Sequence, residues 1–438
     1  MQIDKTTLLD LAIFHAEEDQ SVWNSLNYCK THGGSQWLRH ILSHPHEDKK
    51  PILETQESLK IIMRHLDKWP VDISNGTILV LNRYYESQID KIPGHPGNID
   101  AFSYRLFHKP DYGLVKYTTG HAIDFLKGMY NLVRLLAQDT LPLPLQKLHD
   151  ETILLLSHQK IKEMIGEPSK ENLSGKSILD YGHWLLYYFR GKIDRLIDIY
   201  YQVDALYSMA FATRKQNLKF PEFIDDQRPY IGAEGLFHLL LQTPIPYNLE
   251  MKQENNFIFL TGANMAGKST FIKSVGVAIY LAHIGMAVPA TSMQLTIFHG
   301  LLSNIQVADN ITKGESYFFN EVQRIKNTIL KINNGQKWLV LIDELFKGTN
   351  VQDAMRCSSA VIKGLLKIKN SLFILSTHLY EIGEDLKPFP NIAFRYFETE
   401  VTEEKLSFSY QLREGISNDR LGYLILKREG VVDLMDKL

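Results

Sequence analysis

The sequence predicts a chain of two parts: an all-α first half, residues 1–225, and an α/β second half built on a mostly parallel sheet, residues 226–438. Three observations carry this. After residue 255, apolar runs suited to buried strands ("FIFL", 257–260; "WLVLIDE", 338–344; "LFILSTH", 372–378) alternate with helical spacings, the pattern of successive βα units. Before residue 225 the apolar positions recur every three or four residues, with few β-branched alternations. Between the two lies "NLKFPEFIDDQRPYIGAEG", 217–235, rich in Pro, Asp and Gly, which reads as the connector.

Composition sets the frame. With 438 residues and 44% hydrophobic content the chain can build more than one core. Cys29 and Cys357 lie far apart and belong to no CxxC or His/Cys cluster, which excludes a disulfide framework and fits a reducing cytoplasm. The first residues, "MQIDKTTLLDLAIFHAEEDQ", carry acids where a signal peptide has a basic start. The most apolar segment, 275–290, contains His283 and two glycines and is expected to be a packed helix rather than a membrane span. A net charge of −2 makes no global case for nucleic acid, so any DNA surface must be local.

In the helical half, "HPHEDKKP" (44–51) and "IPGHPGN" (92–98) mark turns between periodic stretches. The clearest helix is 194–215, where Leu196, Tyr200, Val203, Tyr207 and Ala210 share one face; the aromatic stripe is expected to be core rather than a stacking platform. "SGKS", 174–177, echoes a phosphate loop but has Lys170 where the first glycine is needed.

The α/β half opens on "TGANMAGKST", 261–270, where Gly262-x4-Gly267-Lys268-Ser269 fits the phosphate-binding P-loop. A strand precedes it and helical spacing at Phe271, Val275 and Ile279 follows, so a helix N-terminus would face the anion. The backbone of Gly262, Ala263, Asn264, Met265, Ala266, Gly267, Lys268, Ser269 and Thr270 is then expected to cradle the phosphates of ATP, with Lys268 on the terminal phosphates and Ser269 on Mg²⁺. Asp343 and Glu344 leave the end of the next apolar strand, where open α/β sheets hold ligands. Asp343 is expected in the Mg²⁺ shell and Glu344 on the attacking water. His378, after "LFILST", would touch the γ-phosphate.

These residues carry a resemblance. The stretch 261–290, "LVLIDELFKGTNVQDA" (339–354) and "LSTHLYEI" (375–382) resemble the ATPase domain of the MutS family of DNA mismatch-repair proteins, an ABC-type P-loop ATPase. "NITKGESYFFNEV", 310–322, is similar to that family's signature segment, which implies that Ser316 is offered across a homodimer to the partner's γ-phosphate. "YQLREGISNDRLGYLILKREGV", 410–431, resembles the tail that follows. More weakly, residues 26–63 and 203–223 are similar to the family's helical core and lever helix. The resemblance implies a dimeric, Mg-dependent ATPase with DNA as ligand and a repair protein as a further partner. It implies no membrane, and the adenine is expected at "TPIPYN", 243–248, with Ile245 against the ring.

The departures are Ala263 for Pro and Ala266 for Gly in the loop, Tyr317 for Thr, Lys347 for Arg and Asn350 for Ser. By resemblance the chain starts inside the helical core, so a short form without the mismatch-reading and connector domains is expected; the triplet Phe220-Pro221-Glu222 falls in the connector and is not expected to act as a wedge. Two rival readings fit the same loop: an ABC-type ATPase driving a membrane partner, disfavoured by the lack of an LSGGQ-like signature, and a scaffold on a non-DNA protein partner with ATP as a slow switch.

Overall fold

A computed structural model describes residues 1–15, 17–305, 317–401, 406–417, 427 and 430–435. The chain divides into two compact units, one of Met1–Ser25, His44–Ile52 and Gln216–Leu438, the other of Leu26–Ser43 and Leu53–Lys215.

The second unit is helical in its described residues. Its longest element, Lys109–Leu136, buries Val115, Ile123, Phe125 and Met129. In the helix Arg190–Lys215 the face expected from sequence is buried, with Tyr207 stacked on Trp69 at 5.2 Å between ring centroids. This aromatic stripe is core. Gly34 is required here by close approach, because a Cβ would lie 2.2 Å from Asp204 Oδ2. Asp204 in turn accepts hydrogen bonds from the amides of Lys30 and Thr31, both at 2.9 Å, and from Thr31 Oγ1 at 2.7 Å. In the false phosphate loop, Ser174 caps the helix Gly175–Trp184 by accepting from Ser177 N at 3.0 Å.

The first unit is α/β with two mixed sheets. Its strands are β1 (Gln2–Ile3), β2 (Glu222–Phe223), β3 (Tyr230–Leu236), β4 (Tyr247–Lys252), β5 (Phe257–Thr261), β6 (Ser292–Leu295), β7 (Gly300–Asn304), β8 (Trp338–Asp343), β9 (Ser371–Ser376), β10 (Ile392–Val401) and β11 (Leu406–Glu414). The larger sheet runs β1-β7-β8-β9-β5-β10-β11, parallel except for the last pair, and the smaller runs β2-β6-β3-β4. β5, β8 and β9 are buried at every residue, as parallel strands covered on both faces must be, and they build a core around Phe257, Phe259, Trp338, Val340 and Phe373.

Sequence places the division between the halves near residue 225, whereas by compactness Gln216 onward and Met1–Ser25 group with the α/β unit. β1 pairs in parallel with β7, and the buried Asp10 accepts from Ser303 Oγ at 2.5 Å, Ile305 N at 3.0 Å and Arg324 Nη2 at 2.9 Å. The apolar segment after Lys268 is a packed helix, Lys268–Ile284, and among the described residues no helix is long and apolar enough to cross a membrane.

Candidate functional site

The sheet register assembles the site. Asp343 on β8 pairs with Ser376 on β9, and Ser376 pairs with Leu260 on β5, so the C-terminal ends of three neighbouring parallel strands form one row. The chain turns at that row from β5 into the loop 262–267 and then into the helix Lys268–Ile284, whose N-terminus faces the same edge.

The loop depends on glycine at two places. Gly262 has φ +134° and its Cβ position is 3.3 Å from Phe397 N, while Gly267 has φ +106° and its Cβ position is 3.4 Å from Tyr410 Cδ1. A side chain at either would be strained and would close the approach. Met265 also has positive φ, 69°, and is exposed. Ala266, one of the departures, is fully buried.

Lys268 is only 5% exposed and its Nζ donates to Gly262 O at 2.7 Å and Ala263 O at 3.0 Å. Burial lowers its pKa from the usual lysine value, and the carboxylates of Glu344 and Asp343 oppose that fall. Asp343 is buried and accepts from Ser269 Oγ on one oxygen and from Ser376 Oγ on the other. Glu344 follows with φ +62°, a conformation costly for a residue with a Cβ. Its amide donates to Ser376 O at 3.0 Å. His378 Nδ1 at 3.6 Å from its Oε1 and Lys347 Nζ at 3.2 Å from its Oε2 hold its carboxyl down to about 2, against burial, which pushes the other way. Asn350, another departure, caps the helix Val351–Leu365 by accepting from Asp353 N at 3.0 Å.

Beside this row lies a cavity of about 620 Å³ lined by Ala263, Asn264, Met265, Gly267, Lys268, Ser269, Thr270, Glu344 and Ile245, together with Leu241, Thr243, Tyr247 and Tyr410. Most of the residues singled out in the sequence therefore share one cavity. Gly262, Ala266, Asp343 and His378 do not line it; Gly262 and Asp343 accept hydrogen bonds from Lys268 and Ser269, which do, and His378 stands beside Glu344. Ser316 lies outside the described residues. Tyr410 and Ser376 were missed. Ser376 had a signal, a hydroxyl at the end of a buried strand next to the one carrying Asp343; Tyr410 had none, because β11 reaches the loop only through its pairing with β10.

Residues 258–433 match the family model described as MutS domain V. Over these residues the chain is similar to the MutS family. It is 29% identical over 233 residues to the DNA mismatch repair protein MutS of Thermotoga maritima, a match covering 53% of this chain and 29% of that protein. The MutS protein of Petrotoga mobilis is 28% identical over 284 residues, covering 64% of this chain and 33% of the relative. That of Aquifex pyrophilus is 28% identical over 233 residues, covering 52% and 27%. These matches span about a third or less of the relatives' own length, and the residues matched to MutS domain V include the glycine loop, Asp343, Glu344 and His378.

Proposed function

We propose that this chain is a MutS-like, Mg-dependent P-loop ATPase of ABC type that binds DNA as a homodimer and uses ATP to switch that binding in mismatch repair or a related repair process. The observation that carries the reading is the convergence of Lys268, the Ser269–Asp343 pair and Glu344 at the ends of three adjacent parallel strands, beside a cavity of about 620 Å³. An ATP triphosphate fits the donors present: left-handed glycines open the backbone amides, and the Lys268 ammonium, which donates to the carbonyls of Gly262 and Ala263, can redirect its hydrogen bonds to phosphate oxygens.

Mg²⁺ fits Ser269 and Asp343, both hard oxygen donors already within contact of one another. When bound it would neutralise charge on the phosphates. Glu344 is held ionised by His378 and Lys347 and can orient the attacking water and accept its proton. His378, beside Glu344, is assigned the γ-phosphate contact. Ile245, Leu241, Tyr247 and Tyr410 supply apolar and ring surface for the base. Ser316 is assigned to the partner's γ-phosphate on resemblance. The two free cysteines suit a cytoplasmic protein.

The test measures ATP hydrolysis and binding to duplex, mismatched, branched and single-stranded DNA, with and without ATP. DNA-stimulated turnover is expected. ATP binding with no response to any DNA would overturn the DNA-switch reading and favour a scaffold on a protein partner.

A further inference from the structure

The loop that presents Glu344 is tied to a helix that the site described above does not use. In the helix Tyr317–Ile332, Glu321 is only 4% exposed, and its Oε1 accepts from Phe346 N at 3.1 Å and Lys347 N at 3.4 Å. Among the described residues its Oε2 has no hydrogen-bond partner. Burial raises its pKa, and the amides of Gly348, Lys347 and Phe346 pull it back. Three residues earlier, hence on the same helix face, Phe318 meets the ring of Phe346 at 5.7 Å. Three residues later Arg324 Nη2 donates to Ser303 O at 2.6 Å and to Asp10 Oδ2 at 2.9 Å. One helix face therefore holds both the loop after β8 and the end of β7.

The loop needs holding. Glu344 and Phe346 both have positive φ, 62° and 61°, which a non-glycine backbone keeps only where its surroundings impose it. A buried carboxylate that costs desolvation and accepts consecutive amides is such a surrounding.

We propose that Glu321 is a positioning residue: it fixes residues 344–348 in the left-handed turn that aims Glu344 at the cavity, and so makes hydrolysis depend on the placement of the helix Tyr317–Ile332. The hydrolysis part rests on the ATPase reading; the loop-fixing part does not.

The experiment compares the full chain with Glu321→Ala and Glu321→Gln, the latter keeping an acceptor oxygen without the charge. Amide hydrogen exchange across residues 344–350 is expected to be about tenfold or more faster in Glu321→Ala and close to the parent in Glu321→Gln. At saturating ATP, turnover should fall about 100-fold in the Ala variant, as for a misplaced reacting group, with affinity for a fluorescent ATP analogue within about threefold and partial rescue by Gln. Unchanged exchange in Glu321→Ala, or equal loss in both variants, would overturn the assignment. A parallel fall of affinity and turnover would mean that Glu321 supports the cavity as a whole, which also overturns it. A parent chain that hydrolyses no ATP would sink the ATPase reading, while exchange would still decide for or against Glu321.

Discussion

Lys268→Ala and Glu344→Gln should separate nucleotide binding from turnover. Lys268 Nζ is buried and bonded to two carbonyls, so its removal deletes a charge-assisted contact to phosphate and leaves Gly262 O and Ala263 O without that donor. A bond to a charged group contributes about 1.5–3 kcal/mol. At 1.4 kcal/mol per tenfold, ATP affinity should fall about 10- to 150-fold. Glu344→Gln keeps the shape of the side chain and removes a charge that is present at neutral pH, since His378 and Lys347 hold the carboxyl down to about 2. Its affinity for ATP should be unchanged or tighter, while single-turnover hydrolysis should fall about 10²- to 10⁴-fold, the range for losing a positioned acid–base group. Titration with a fluorescent ATP analogue and single-turnover phosphate release measure the two quantities. Equal loss of affinity in both variants would refute the division of roles.

Gly276→Leu should destabilise the α/β unit by about 1–3 kcal/mol through overpacking, because even a Cβ there would lie 2.5 Å from Leu11 Cδ2 and 2.8 Å from Leu341 Cδ1; urea denaturation checks it. Asp204 should make stability fall with rising pH. Burial raises its pKa, so the folded chain holds the proton to higher pH than the unfolded one, and stability is lost from the ordinary aspartate value up to the raised one. Between the ordinary aspartate value and higher pH, the denaturation midpoint should fall more in the parent than in Asp204→Asn, the difference between the two being the contribution of Asp204. A mixed dimer of Ser316→Arg and Lys268→Ala subunits should keep one intact composite site and recover ATPase activity that neither variant has alone; no recovery on mixing would remove Ser316 from the trans role.

Much of the site was legible in the sequence because its core is contiguous. A strand, a glycine loop and a helix N-terminus follow one another within residues 257–284, and backbone geometry alone forces them to meet at one point. Asp343 and Glu344 were legible for a related reason: an apolar run that ends in two acids must put them at the strand's end. The helix 194–215 showed its buried face through spacing alone.

Other features rest on strand pairing, which sequence spacing does not encode. β1 at the N-terminus belongs to the large sheet because it pairs with β7, nearly 300 residues away, and Asp10 becomes buried only as part of that contact. The β10–β11 hairpin brings Tyr410 against Gly267, and the smaller sheet, β2-β6-β3-β4, interrupts what reads as simple strand–helix alternation. Asp343 shows the boundary. Its place at the end of a buried strand follows from local pattern, but its two partners, Ser269 and Ser376, are set by register across three strands. Chain order determines what lies next along the backbone; which carboxylate meets which hydroxyl is decided only when the hydrogen-bonded ladder closes, because that fixes neighbours far apart in the chain.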